Sequence, residues 1–198
     1  AKLNINLDPG NYIITSYNPK TNEQRSNNIT VLATISCNYD LVKYYKNKKT
    51  YSVYLHNLDG SYAKYSKVTF NINGVLYTRK TDSKGAASLA INLRPGEYII
   101  TTMFDGLSIG NKVKVLPTLV THDLNMKYMD GSRFTAQTLD GQGKPLANQN
   151  VSFNVNGVFY HRITDNKGIA KLNIRLMAGE YIITSSWNNF QTGNTIRI

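Results

Sequence analysis

The 198-residue sequence predicts an all-β chain: two tandem β-sandwich units of about seven short strands each, preceded by a partial repeat. Three observations predict it. One 13-residue pattern recurs three times, as LNINLDPGNYIIT at Leu3–Thr15, LAINLRPGEYIIT at Leu89–Thr101 and LNIRLMAGEYIIT at Leu172–Thr184. Its glycines, Gly10, Gly96 and Gly179, lie 86 and 83 residues apart, the size of a small domain and too long for a solenoid repeat. Period-2 alternation broken by turn signals runs through the chain, and no 3.6-residue helical period is present.

The recurring pattern has a direct reading. Leu3, Ile5 and Leu7 alternate with Lys2, Asn4 and Asn6, as in a half-buried strand. Asp8-Pro9-Gly10 breaks it, with Pro fixing φ and Gly expected at the positive φ of a type II turn. Tyr12-Ile13-Ile14-Thr15 then resumes as strand. Tyr12, Tyr98 and Tyr181 each stand two residues after the turn glycine, the position of the tyrosine corner in immunoglobulin-like sandwiches, where the hydroxyl bonds back to the preceding backbone. The position two residues on, often Cys in antibody domains, is Ile14, Ile100 or Ile183, so the sandwich is expected to hold by apolar packing.

The remaining elements follow in order. An opening strand is expected in YDLVKYYKNKK from Tyr39 and in HDLNMKYMDGS from His122. TYSVYLHNLDG and RFTAQTLDG come next, each ending in a Leu-Asp-Gly turn. SKVTFNINGVLYTRKTDSKG aligns with QNVSFNVNGVFYHRITDNKG, and the Asn73-Gly74 and Asn156-Gly157 pairs inside them predict type I′ hairpins. Asp82–Gly85 and Asp165–Gly168 close the next turn, then come the corner pattern and a last strand, GNKVKV or GNTIRI. Inward positions are expected at Phe70, Ile72, Leu89, Ile91, Leu93, Tyr98, Ile100, Val113 and Val115. In the last unit they are Phe153, Val155, Leu172, Ile174, Leu176, Tyr181, Ile183, Ile196 and Ile198.

The expected domains are a C-terminal remnant of a repeat at 1–35 and sandwiches at 36–117 and 118–198. The apolar stretches ITVLATIS from Ile29 and VKVLPTLV from Val113 are read as short semi-rigid linkers. Residues 1–35 match only the last three strands of a unit and cannot bury both faces alone. The remnant is expected to lean on the neighbouring unit, on another copy of the chain by self-association, or on sequence upstream of Ala1, as in a segment cut from a longer array.

Composition limits the chemistry. No apolar run approaches the ~20 residues of a membrane span, so no membrane insertion is expected. Cys37 is the single cysteine, which excludes an internal disulfide. The net charge of +11 concentrates in residues 36–117, with 12 basic against 5 acidic side chains. Lys43, Lys46, Lys48 and Lys49, interleaved with Tyr44, Tyr45 and Tyr51, form a candidate basic patch. Such a patch suits a polyanion, or a solvated edge strand guarded by lysines against aggregation; the last repeat lacks it, which favours the second reading and argues against nucleic acid.

No catalytic residues, metal site or cofactor are expected. His56, His122 and His161 are scattered, Cys37 has no neighbouring His, and Asp59, Asp82, Asp140 and Asp165 sit in turns where local backbone bonds account for them. A lysine beside the single carboxylate of Asp82 or Asp165 argues against Ca²⁺. Two Lys–Asn pairs, Lys43 with Asn111 and Lys127 with Asn194, stand roughly where first and last strands of some surface sandwiches carry an isopeptide bond, but the lysines are not equivalent and ordinary side chains are favoured. Asn28 and Asn150 head N-glycosylation sequons. The candidate binding loop follows the corner strand: Tyr17 in the remnant, Met103 and Phe104 in the middle copy, Trp187 and Phe190 in the last. Aromatics there can stack on sugars or anchor a partner; Phe104 and Trp187 keep inward parity, which favours capping of the core.

FNINGVLYTRKTDSKGAASLAINLRPGEYIIT, NMKYMDGSRFTAQTLDGQGKPLANQNVSFNVNGVFYHR and LNIRLMAGEYIITSS closely resemble the immunoglobulin-like repeats of adhesin-like surface proteins of methanogenic archaea. The likeness covers essentially the whole chain, and the form of the last repeat resembles the final repeat of such proteins. The resemblance implies a non-catalytic, extracellular, wall-displayed adhesin or stalk segment whose partner is an unidentified cell-surface glycan or protein. It assigns no binding residues. The alternative is an accessory module of a cell-wall-acting enzyme with its catalytic region upstream.

Overall fold

Alternating side chains build the core strands of the molecule, and turn residues set where they stop. A computed structural model describes residues 2–198; Ala1, the first residue of the expected remnant, lies outside them. By contacts the chain forms two compact units: Ala1–Leu41 with Thr50–Ala90 and Tyr98–Val113, and Val42–Lys49 with Ile91–Glu97 and Lys114–Ile198.

The N-terminal segment contributes β1 (Gly10–Asn18) and β2 (Glu23–Val31), an antiparallel hairpin that forms a two-stranded sheet of its own. The first of the three strands expected in the remnant does not form: Leu3, Ile5 and Leu7 are exposed and outside any strand. Among their counterparts, Leu89 and Leu172 lie in strands paired to an earlier strand of the same repeat, whereas Ile91, Leu93, Ile174 and Leu176 lie past the strand ends.

The first sandwich follows, with β3 (Ile35–Ser36), β4 (Leu41–Tyr44), β5 (Thr50–Leu55), β6 (Lys67–Ile72), β7 (Val75–Lys80), β8 (Ala86–Ala90), β9 (Gly96–Phe104) and β10 (Leu107–Leu116). One sheet has the order β3-β5-β8 and the other β4-β10-β9-β6-β7. The second repeats this with β11 (Leu119–Thr121), β12 (Leu124–Asn125), β13 (Arg133–Thr138), β14 (Asn150–Val155), β15 (Val158–Ile163), β16 (Ile169–Asn173), β17 (Glu180–Trp187) and β18 (Phe190–Arg197). Its sheets are β11-β13-β16 and β12-β18-β17-β14-β15. The chain is thus all-β, with tandem immunoglobulin-like sandwiches.

Each sandwich has eight strands because the opening strand splits between the two sheets. In the second, β11 pairs antiparallel with β13, and β12 then runs parallel to β18. The same splitting corrects the linkers. Ile29–Val31 closes β2 and Ile35–Ser36 is β3, while Val113–Leu116 closes β10 and Leu119–Thr121 is β11; only 32–34 and 117–118 lie between strands.

Both cores form where the inner faces meet. In the second, Phe134, Ala136, Ala170 and Leu172 of one sheet pack with Val151, Phe153, Val155, Ile183 and Ile196 of the other. Phe134 and Phe153 meet edge-to-face at 5.8 Å, and Tyr51 and Phe70 do the same at 5.9 Å in the first. Phe70, Ile72, Leu89, Ile91, Ile100, Val113 and Val115 are buried as expected, whereas Leu93 and Tyr98, like Leu176, Tyr181 and Ile198, are half-buried.

The hairpin turns have the predicted chemistry: φ is 53° and 78° at Asn73-Gly74, and 50° and 81° at Asn156-Gly157. The corner glycines differ among themselves. Gly10 lies outside the positive-φ region, whereas Gly96 and Gly179, at 156° and 158°, hold a positive φ that L side chains rarely adopt, though not that of a type II turn. At Gly10 the slot requires room, since a Cβ would stand 3.3 Å from the Tyr12 hydroxyl.

Candidate binding surfaces

The corner tyrosines act through the backbone. The Tyr12 hydroxyl donates to the Asp8 carbonyl at 2.7 Å and the Tyr181 hydroxyl to the Met177 carbonyl at 3.0 Å, each closing the corner four residues back. Tyr98 is half-buried in the matching place.

The basic patch does not form as one surface. Lys43 follows Leu41 with inward parity and is 5% exposed, its Nζ donating to the Ile91 carbonyl at 2.8 Å and the Lys49 carbonyl at 3.0 Å. Burial lowers its pKa below the ordinary 10.5. The equivalent residue of the other sandwich is Met126, which packs against the core, so the site is an apolar slot occupied by a lysine. Lys46 is exposed, and its Nζ donates to the carbonyl and Oδ1 of Asn188. Of the four, Lys48 and Lys49 are the exposed cations without such ties among the described residues.

The Lys–Asn pairs have separate partners. Asn111 bonds to Asn38 and accepts from the Tyr51 hydroxyl at 2.9 Å, while Lys43 serves the two carbonyls above. Asn194 accepts from Thr121 and donates to Asp123, and the Lys127 side chain makes no bond with it. Turn carboxylates serve their own loops: the Ala86 N–H holds Asp82 below the usual carboxylate range, and the Ile169 N–H does so for Asp165. His56 Nε2 meets Ser36 Oγ at 2.9 Å, its ring lies tilted 5.4 Å from that of Tyr62, and Asp59 accepts from Ser61. Among those residues no group of three or more His, Cys, Asp or Glu is gathered for a metal, and no helix is long and apolar enough to cross a membrane. Cys37 is exposed.

The loop aromatics differ in role. Tyr17 is exposed and donates to Asn22 Oδ1 at 2.7 Å. Phe104 is half-buried, Trp187 and Phe190 pack against the second core, and Phe190 also meets Tyr45 at 5.9 Å. Trp187 and Phe190 nevertheless flank an open groove of about 540 Å³ whose lining the sequence reading missed. Its floor is one cross-strand row. Ser152 stands opposite His161 on β15 and opposite Ser186 on β17, and Ser186 stands opposite Gln191 on β18. Alternation was the signal available, because these residues interleave with buried Val151, Phe153 and Ser185 and must point outward.

No family model matches the sequence, and no characterised protein matches it by sequence. Among solved structures the chain is similar to invasin, a bacterial integrin-binding protein, at 20% identity and a TM-score of 0.37, over 83% of this chain and 38% of that one. The I9–I11 tandem of titin is similar at 15% identity and a TM-score of 0.40, over 81% and 63%. The SGBP-B protein of the Bacteroides ovatus mixed-linkage glucan utilization locus, solved with a mixed-linkage heptasaccharide, is similar at 16% identity and a TM-score of 0.33, over 96% and 53%. The chain spans less than two thirds of each, and at these identities the likeness is one of fold alone.

Proposed function

We propose that this chain is a non-catalytic segment of an extracellular, wall-displayed adhesin, in which tandem sandwiches present their outer sheet faces and loops to an external glycan or protein. The observation that carries the reading is the tandem itself. Two copies of one sandwich keep the same strand order, turns and corner, while the side chains on the outer face differ, as in Thr69, Thr78 and Met103 against Ser152, His161 and Ser186. The carboxylates of Asp82 and Asp165 serve the turns of the fold, while the outer faces stay available for surface contact. The resemblance to archaeal adhesin-like repeats supports the same reading and adds methanogen cells as the surface from which the protein is displayed.

Adhesion of coated particles tests it. Beads carrying the chain should attach to methanogen cells or their isolated wall material more than beads carrying an unrelated two-domain β-sandwich of similar positive charge. Equal attachment of the two would overturn the reading.

A further inference from the structure

The row His161–Ser152–Ser186–Gln191 crosses four adjacent strands of the second sandwich, β15-β14-β17-β18. At the usual spacing between paired strands it is about 14 Å long. Asn150, two residues before Ser152, adds an amide to the lining, and the Asn188-Asn189 turn with Trp187 and Phe190 forms the wall at the Gln191 end. Ser152 and Ser186 are half-buried, and none of the side chains of Asn150, Ser152, His161, Ser186 and Gln191 has a hydrogen-bond partner among the described residues. Five polar side chains aligned in one groove and unused by the fold form a set of hydrogen-bonding groups open to a ligand.

The chemistry of the row selects the ligand. Ser, His, Asn and Gln side chains both donate and accept, the combination that matches a dense set of hydroxyls. A peptide adding as a strand would pair along the open edge of β15 and run beside the sheet, not across the row, because β14 and β17 are each paired on both sides. An extended nucleic acid or other polyanion needs a cationic track, and the lining holds one Arg, Arg94, with Lys46 tied to Asn188 of the wall, too few for a track. No carboxylate lines the groove, which removes the usual ligands for Ca²⁺. Trp187 and Phe190 supply apolar faces against which the C–H side of a sugar ring can pack while its hydroxyls meet the row. The first sandwich does not repeat this set: Thr69 stands opposite Thr78 and Met103, and Lys67 takes the place of Asn150.

We infer that this groove on the outer face of the second sandwich binds a short neutral oligosaccharide, with His161, Ser152, Ser186 and Gln191 bonding its hydroxyls and Trp187 closing one end. The inference rests on the adhesion reading and names the partner class for it.

Trp187 is the single tryptophan of the chain, so its fluorescence reports directly on the groove. The intact chain is titrated with linear tri- to hexasaccharides of glucose, mannose, galactose and N-acetylglucosamine, and in parallel with sulfated and uronic-acid oligosaccharides. At least one neutral series should give a saturable change in fluorescence. Replacing the exposed pair His161→Ala and Gln191→Ala should weaken binding by about tenfold or more, the loss of one or two hydrogen bonds. Thr69→Ala with Thr78→Ala, on the matching row of the first sandwich, should leave it unchanged. The inference is overturned if no neutral series saturates, if only acidic sugars bind, or if the His161/Gln191 variant binds as well as the parent. Bead adhesion separates the two levels: parent and variant adhering equally sinks the groove and spares the adhesion reading, whereas sugar binding without adhesion does the reverse.

Discussion

The two sandwiches solve the centre of the core differently. In the first, Tyr51 lies 1% exposed between the sheets, with its hydroxyl bonded to Asn111 Oδ1 at 2.9 Å and to Thr102 Oγ1 at 3.3 Å. In the second, Phe134 takes the place of Tyr51 and Ser185 that of Thr102; the buried Ser185 Oγ has no hydrogen-bond partner among the described residues. Asn194, in the place of Asn111, keeps the matching bonds, to Thr121 and Asp123 where Asn111 has Asn38 and Asp40, but meets no ring hydroxyl. The architecture is thus set by volume and pattern, since both rings make the same edge-to-face contact with Phe70 or Phe153. The hydroxyl network is an addition that one copy completes and the other holds in part. A buried polar group is worth little when paired and is costly when left alone, so the two copies should respond oppositely to the same kind of change.

The largest effects fall where the copies agree. Ile100 and Ile183 are both fully buried, and Ile100→Ala or Ile183→Ala should each cost about 2–5 kcal/mol by urea denaturation. Ile14, their counterpart in the lone hairpin, is only half-buried, and Ile14→Ala should cost about 1 kcal/mol or less. Similar losses at all three would contradict the view that burial comes from the front strands of a repeat.

The next effect separates the cores. Tyr51→Phe should destabilise by about 1–3 kcal/mol, because it strips a bond from buried Thr102, whereas Ser185→Ala should raise stability by up to about 1 kcal/mol, because it removes an orphaned hydroxyl. Chemical denaturation of each variant checks both signs. A loss on Ser185→Ala would show that this hydroxyl does work that the packing does not reveal.

The smallest effect is one of pH. Lys43 occupies the slot that Met126 fills in the second sandwich, and burial lowers its pKa from 10.5. Between the lowered folded value and 10.5 the unfolded chain binds more protons than the folded one, so this site adds stability as the pH rises through that window. Comparing the parent with Lys43→Met across the alkaline range should show the parent gaining on the variant. A difference independent of pH would mean that the amine is not held in an apolar slot.

Most of the fold was legible because alternation, Asn-Gly turns and the thrice-repeated corner are local signals. The split opening strand was not, since β3, β11 and β12 have two or three residues each, too few to show a period. Lys43 is hard to place from sequence because KYYKNKK reads as a solvated charge run, although Leu41 two residues earlier shares its parity and faces the core. The corner glycine has a different cause in different copies: Gly10 makes space for a ring, while Gly96 and Gly179 hold a positive φ outside the type II turn that Asp-Pro-Gly suggests. The polar groove was hidden because its floor joins residues from four strands, and only the register brings Ser152 beside Ser186, 34 positions away in the chain.

The parallel pairing of β12 with β18 has a mechanical consequence. The chain enters the second sandwich through β11 and β12 and reaches its last strand in β18, with Leu124 beside Ile196, Asn125 beside Arg197, and the Met126 N–H donating to the Arg197 carbonyl at 2.9 Å. Tension applied to the two ends pulls these neighbours in opposite directions along their length, so their hydrogen bonds carry the load together and must shear at once, whereas a hairpin opened from its free end yields one rung at a time.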